Sequence, residues 1–168
     1  MEYNIQIAGF STHVYDVMEL MSGVNKISKN ADKNCTIQLL NADGIGGKEH
    51  ILHATLHAIK AFERNENIAN DIGLEICVRA SAQRQISKAL DILGIKEGEM
   101  NICVVAVDCS ENIMNYLEKI LGNKINEVLK PDEIGLKKIY EVSDEEIESV
   151  AGISNVMIER TTLLIFEI

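Results

Sequence analysis

Ile102-Cys103-Val104-Val105-Ala106-Val107 is a run of six apolar residues with no polar interruption. Such a run fits a central strand covered on both faces, where no position has to meet water. On its carboxy-terminal side, Ser110 is placed to cap a helix reaching about Leu121, Pro131 and Asp132 open another, and Ser143-Asp144-Glu145-Glu146 has the form of a capping box for a third. The chain closes on Leu163-Leu164-Ile165-Phe166-Glu167-Ile168, which suits either a helix end or an edge strand. On the amino-terminal side, residues 74–80 read as a strand entered at Gly73. A helix capped by Ser81 then runs to Leu93, with Gly94 just past its end. Further back, Tyr3, Ile5 and Ile7 alternate with Asn4 and Gln6 over residues 3–9, a half-buried strand. Val14, Val17, Met18 and Met21 give helix spacing over about Thr12 to Val24, and residues 35–40 supply another strand. Without an internal repeat, a long linker or more than one proline, the economical fold is a single α+β domain over residues 1–168. It would hold a mostly antiparallel sheet of four to five strands packed with helices as a two-layer sandwich.

Composition bounds the function classes. The 168 residues are 46% hydrophobic and 25% charged, the balance of a globular protein rather than of a disordered or fibrous one. No stretch approaches the ~18 apolar residues of a membrane helix, and no signal peptide is visible, so a cytoplasmic protein is expected. Cys35, Cys77, Cys103 and Cys109 contain no Cys-x-x-Cys pair and are expected reduced, packed as small hydrophobes or, for Cys109, at a strand end. The net charge of −10 argues against bulk electrostatic binding of nucleic acid. The charge is uneven, however. Residues 45–96 carry 7 basic and 6 acidic side chains, whereas residues 97–168 carry 6 and 15, so an anionic partner should dock on the middle.

The middle holds the strongest helix of the sequence, Lys48 to Arg64. Steps of 3, 7, 10 and 14 from His50 reach His53, His57, Lys60 and Arg64, which share one stripe. Leu52, Leu56, Ile59 and Phe62 form the expected core stripe, with Ala54, Ala58 and Ala61 between as a smooth strip. Three readings of the histidine stripe compete. His53 and His57 at i,i+4 can ligate a metal, although the His-Glu-x-x-His order is missing. The imidazoles can be hydrogen-bonded at a helix–sheet margin. Or they form an RNA face, with rings stacking on bases while Lys60 and Arg64 meet phosphates. The preceding loop, Gly44-Ile45-Gly46-Gly47-Lys48, is neither a Walker A loop nor Gly-x-Gly-x-x-Gly. It fits an anion-holding helix start, which adds Lys48, or simply a tight turn. A second polar focus is Arg79-Ala80-Ser81-Ala82-Gln83-Arg84-Gln85, where Arg79, Arg84 and Gln85 suit phosphate or base-edge recognition. No nucleophile elbow, catalytic triad, kinase set or metal-carboxylate pair is present, which points to a binding module without a cofactor.

Three pieces in order carry a family resemblance. They are Gly47-Lys48-Glu49-His50-Ile51-Leu52-His53-Ala54, Ala61-Phe62-Glu63-Arg64-Asn65, and Gly73-Leu74-Glu75-Ile76 leading into Ala80-Ser81-Ala82-Gln83-Arg84-Gln85-Ile86. Through them the block Leu39 to Gly94 resembles the small KEOPS-complex subunit that binds the Bud-type atypical kinase, the PRPK-binding protein family. The resemblance implies a non-catalytic subunit of the complex that makes threonylcarbamoyladenosine in tRNA. Such a subunit binds and promotes the kinase, meets other KEOPS subunits through it, and helps recruit tRNA by its single-stranded 3′ CCA end. Lys48, His50, His53, His57, Lys60, Arg64, Arg79, Arg84 and Gln85 are then the RNA candidates. Ile147, Val150, Ile153, Met157 and Leu164, apolar residues of the Ser143–Ile168 segment, are the kinase-facing candidates. The alternative of a different class is a small metal- or ligand-binding enzyme built on His50, His53 and His57.

Overall fold

A computed structural model describes residues 2–164. In chain order the elements are β1 (Ile5–Val14), α1 (Val17–Ala31), β2 (Thr36–Asn41), α2 (Lys48–Glu63), α3 (Ile72–Ser81), α4 (Ile86–Leu93), β3 (Gly98–Val107), α5 (Ile113–Leu121), α6 (Glu133–Tyr140), α7 (Asp144–Val150) and α8 (Ile153–Leu163). They fall into two compact units, one from residues 2–42 and 95–128, the other from 43–94 and 129–164.

The first unit is built on the apolar run. β3 lies in the middle of a three-stranded antiparallel sheet of order β1-β3-β2, and Ile102 through Val107 are all buried. Val104 pairs with Ala8 on one side and Leu39 on the other. Ala8, Phe10, Ile37, Leu39, Ile102, Val104 and Ala106 share a core with Val24 of α1 and Ile113, Leu117 and Leu121 of α5. β1 continues to Val14, opposite Gly98, so α1 starts at Val17 behind the cap Asp16, whose carboxylate accepts the Glu19 N–H. Sheet pairing along ten residues outweighs the helical spacing that begins at Val14.

The cysteines correct an expectation. Cys35 and Cys109 are joined in a disulfide, with Cα atoms 4.5 Å apart, while Cys77 and Cys103 are buried thiols. Thr36 pairs with Val107, so the register brings the residues just beyond that pair together across 74 positions of sequence.

The second unit is helical. The expected strand over 74–80 is α3, which packs against α2, α4 and α8. The sheet therefore has three strands among the described residues rather than four or five. Alternation in Leu74-Glu75-Ile76-Cys77-Val78-Arg79 imitates a strand, but Glu75 and Arg79 are also one helical turn apart. Both are buried, and Arg79 Nε donates to Glu75 Oε2 at 2.7 Å. Glu75 Oε1 also accepts the N–H groups of Ile68 and Ala69, and Arg79 Nη2 donates to the Glu66 carbonyl. Helix formation satisfies both charges and ties down the loop before α3. Ser81 consequently ends α3 instead of capping the next helix, and the chain turns through 82–85 before α4 begins.

Ser143 does cap α7, its Oγ accepting the Glu146 N–H at 3.1 Å. The Glu146 carboxylate turns instead to Arg160, which donates to it from Nε and Nη2. Leu136, Tyr140, Val142, Ile153, Val156 and Met157 form a small core of α6 and α8. The end of the carboxy-terminal apolar run, residues 165–168, lies outside the described residues.

Candidate nucleic-acid interface

α2 positions the histidine stripe, but its buried arc is rotated from the expected one. His50, Ile51, Ala54, Thr55, Ala58, Ile59 and Ala61 face inward, while Leu56 is 39% exposed and Leu52 and Phe62 are half-buried. The alanine strip is thus the packing surface, where small side chains let α3 and α8 approach closely.

The imidazoles take different roles along the stripe. His50 is fully buried. The Gly46 N–H donates to its Nδ1 at 2.8 Å, so the ring proton sits on Nε2 and donates to the Ala80 carbonyl at 2.9 Å. Desolvation pushes its pKa down to about 4, the backbone bond to Ala80 opposing that shift, so the ring is neutral. Gly46 is required for this contact: a Cβ there would lie 2.9 Å from Met157 Cγ and 3.4 Å from the His50 ring. At Gly44 it would lie 2.8 Å from Leu93 Cδ2. Gly44 and Gly46 thus serve close packing, whereas Gly47 takes φ 100° just ahead of α2.

His53 and His57 are half-buried, their ring centroids 4.4 Å apart. Thr162 Oγ1 donates to the Ile158 carbonyl, so at 2.8 Å from His53 Nε2 it must accept, which places the His53 proton on Nε2. Burial lowers both pKa values first. Lys60 then adds to the effect on His53. At His57, where the value falls to about 4, His53, Lys60, Arg79 and Arg64 add to it in that order. Of the hydrogen-bonded margin expected for the stripe, His50 and His53 take part and His57 does not, and the bonds run between helices. Lys48, Lys60 and Arg64 are exposed on the same helix.

Two sequence candidates are withdrawn from any ligand-facing surface. His50 has both nitrogens engaged with backbone, and Arg79 is buried in its pair with Glu75. Arg79 acts on the stripe through its charge alone. Arg84 and Gln85 are exposed in the turn between α3 and α4. That turn begins at Ala82, in left-handed conformation with φ 54°. Beside it, Ser81, Ala82, Gln83, Arg160 and Leu163 line a cleft of about 200 Å³. Thr162, which orients His53, carries no signal in the sequence, because its partner is 109 residues away. For metal, no group of three or more histidine, cysteine or acidic side chains among the described residues is arranged to hold an ion.

The kinase candidates are placed less favourably. Ile153 and Met157 are buried in the small helical core, and Leu164 is buried at the end of α8. Ile147 and Val150 are half-buried against that core. In the first unit, by contrast, Tyr15 and Met18 are 83% and 84% exposed. Tyr15 lines a groove of about 490 Å³ whose walls include His13, Asp16, Glu19, Leu20, Lys26 and Ile120, and Met18 lines a neighbouring one with Val17, Met21, Asn25 and Lys29. This apolar surface at the start of α1 gives no strong signal in the sequence, where Met18 reads as part of the inward helical stripe.

Residues 12–164 match the family model described as Kinase binding protein CGI-121. The chain belongs to the CGI-121 kinase-binding protein family. Among relatives, it is 36% identical over 121 residues to the regulatory protein Cgi121 of Methanocaldococcus jannaschii, covering 71% of this chain and 74% of that protein. It is also 36% identical over 95 residues to the KEOPS complex subunit Cgi121 of Pyrococcus abyssi, covering 55% of this chain and 54% of the relative. CGI-121 membership therefore rests on nearly the whole described chain, well beyond the Leu39–Gly94 block that first suggested it. No described helix is long and apolar enough to cross a membrane.

Proposed function

We propose that the chain is a non-catalytic KEOPS subunit that binds and promotes the Bud-type atypical kinase, meets other KEOPS subunits through it, and helps recruit tRNA by its 3′ CCA end. The kinase-binding part is supported by the family match over residues 12–164 and by the names of the two relatives. The RNA part is supported by one observation. His53, His57, Lys60 and Arg64 share one accessible stripe of α2, with Lys48 exposed at the start of that helix, in a protein whose net charge is −10. Neutral imidazoles present flat faces for stacking, and the flanking cations meet phosphates. Arg84 and Gln85 add donors at the α3–α4 turn.

The kinase surface is assigned to the start of α1. Ile153, Met157 and Leu164 close a core, so exchanging them for contacts with a partner would open that core. Tyr15 and Met18 offer apolar area already turned to solvent. The two roles separate by substitution. Met18→Glu is expected to weaken kinase binding by tenfold or more and leave tRNA binding unchanged. Arg64→Glu is expected to weaken tRNA binding and reduce its salt slope while leaving kinase binding intact. Unchanged affinity in either variant for its assigned partner removes that assignment.

A further inference from the structure

We propose that the α2 stripe binds the phosphate group of its RNA together with a proton from solvent, taken up by the His53–His57 pair. This rests on the RNA reading above and adds its regulation by pH.

Hydrogen bonding separates the three histidines. His50 cannot take a second proton without losing the Gly46 N–H bond to its Nδ1. His53 can. Its Nε2–H bond to Thr162 exists in both protonation states, and its Nδ1 is the position that would gain the proton. The His57 ring makes no hydrogen bond to any described residue. Protonation of either ring would thus turn an acceptor nitrogen into a donor while leaving the described hydrogen bonds in place.

The surroundings hold those protons off until an anion arrives. The charged groups facing the pair are Lys60 and Arg64 on α2 itself and Arg79 from α3, all cations, while α8 contributes the neutral Thr162 hydroxyl. Glu75 is paired with Arg79. Burial and this cationic field keep both pKa values low, that of His57 at about 4, so the free pair is neutral at pH 7. Two charged rings with centroids 4.4 Å apart would also repel one another. A phosphate lodged against Lys60 and Arg64 reverses the sign of the field at the rings. It makes a charged imidazole the better partner, because an N–H donated to a phosphoryl oxygen replaces a repelled lone pair.

The test is calorimetry with a single-stranded RNA oligonucleotide ending in CCA, at pH 7 and fixed ionic strength, in two buffers of different ionisation enthalpy. The expected result is uptake of close to one proton per RNA bound, with affinity rising by up to about tenfold for each pH unit lowered between 8 and 6. In the His53→Gln/His57→Gln protein, RNA is expected to bind more weakly, and the binding that remains is expected to carry near-zero proton uptake. Ring C–H resonances of His53 and His57 in the unsubstituted protein give a second measure, and the midpoint of at least one ring is expected to rise above pH 7 when RNA is added. RNA binding without proton uptake, the same uptake in the double variant, or unmoved midpoints for both rings overturns the proposal and leaves the RNA reading standing. Absence of RNA binding at every pH overturns both.

Discussion

His50 shows how one side chain can be mistaken for a ligand-binding group. Its place in sequence puts it at the head of a cationic stripe, yet its ring joins the 44–48 loop to α3 from the interior. Two backbone hydrogen bonds and complete burial require the neutral form. The consequence is a pH dependence of stability with a definite sign. In the unfolded chain the ring titrates near 6.5, and in the folded protein at about 4. Above pH 6.5 both states hold it neutral and nothing is lost. As pH falls from 6.5 toward 4 the unfolded state takes the proton first, so stability drops by about 3 kcal/mol across that window. Urea unfolding as a function of pH checks this. His50→Gln is expected to be less stable at pH 7 but to show a flatter slope between pH 6.5 and 4. An unchanged slope would deny His50 this role.

At the scale of elements, α2 and α3 mark how far the sequence can be read. α2 is legible as a helix because seventeen residues hold one period, but its buried face is not. Alanines look like a gap between larger apolar residues until α3 and α8 are known to press against them. α3 is illegible for a sharper reason. Its apolar residues fit period two, and the feature that decides for a helix is a pair of charges, Glu75 and Arg79, whose value depends on burial. That pair gives a direct expectation. Glu75→Gln leaves Arg79 buried with a weakened partner and releases two N–H groups of the 65–71 loop from a charged acceptor. A loss of about 3–5 kcal/mol in unfolding free energy is expected, read from denaturant midpoints at constant slope. A loss below 1 kcal/mol would mean the pair does not hold α3 against the loop.

For the whole molecule, the central strand was readable from its unbroken apolar run, and the remaining topology followed less completely. Two strands flank β3, and the additional strand expected at 74–80 is absorbed by the helical unit. The disulfide was hidden because a 74-residue separation says nothing until the β2–β3 register is known. Closing so long a loop restrains the unfolded chain by on the order of 4 kcal/mol in the chain-entropy view. Reduction, or Cys35→Ser/Cys109→Ser, is expected to lower the unfolding midpoint of the first unit, whose core surrounds both cysteines. An unchanged midpoint under reductant would show that packing alone holds that end of the sheet. The candidate site was legible in its cations, which need only helical spacing to align. It was not legible in which imidazoles reach the surface, since that depends on Ala80 and Thr162, partners supplied by distant parts of the chain.

In the proposed role, a margin of imidazoles and cations on α2 grips the 3′ end of tRNA on an otherwise anionic protein. The most direct measurement compares the affinity of the protein for intact tRNA and for the same tRNA lacking its terminal CCA, over a salt series. The expected result is a loss of tenfold or more on removing CCA, with a salt slope corresponding to about two or three phosphate contacts that becomes shallower in Arg64→Glu. Equal affinity for the two tRNAs at every salt concentration would contradict it.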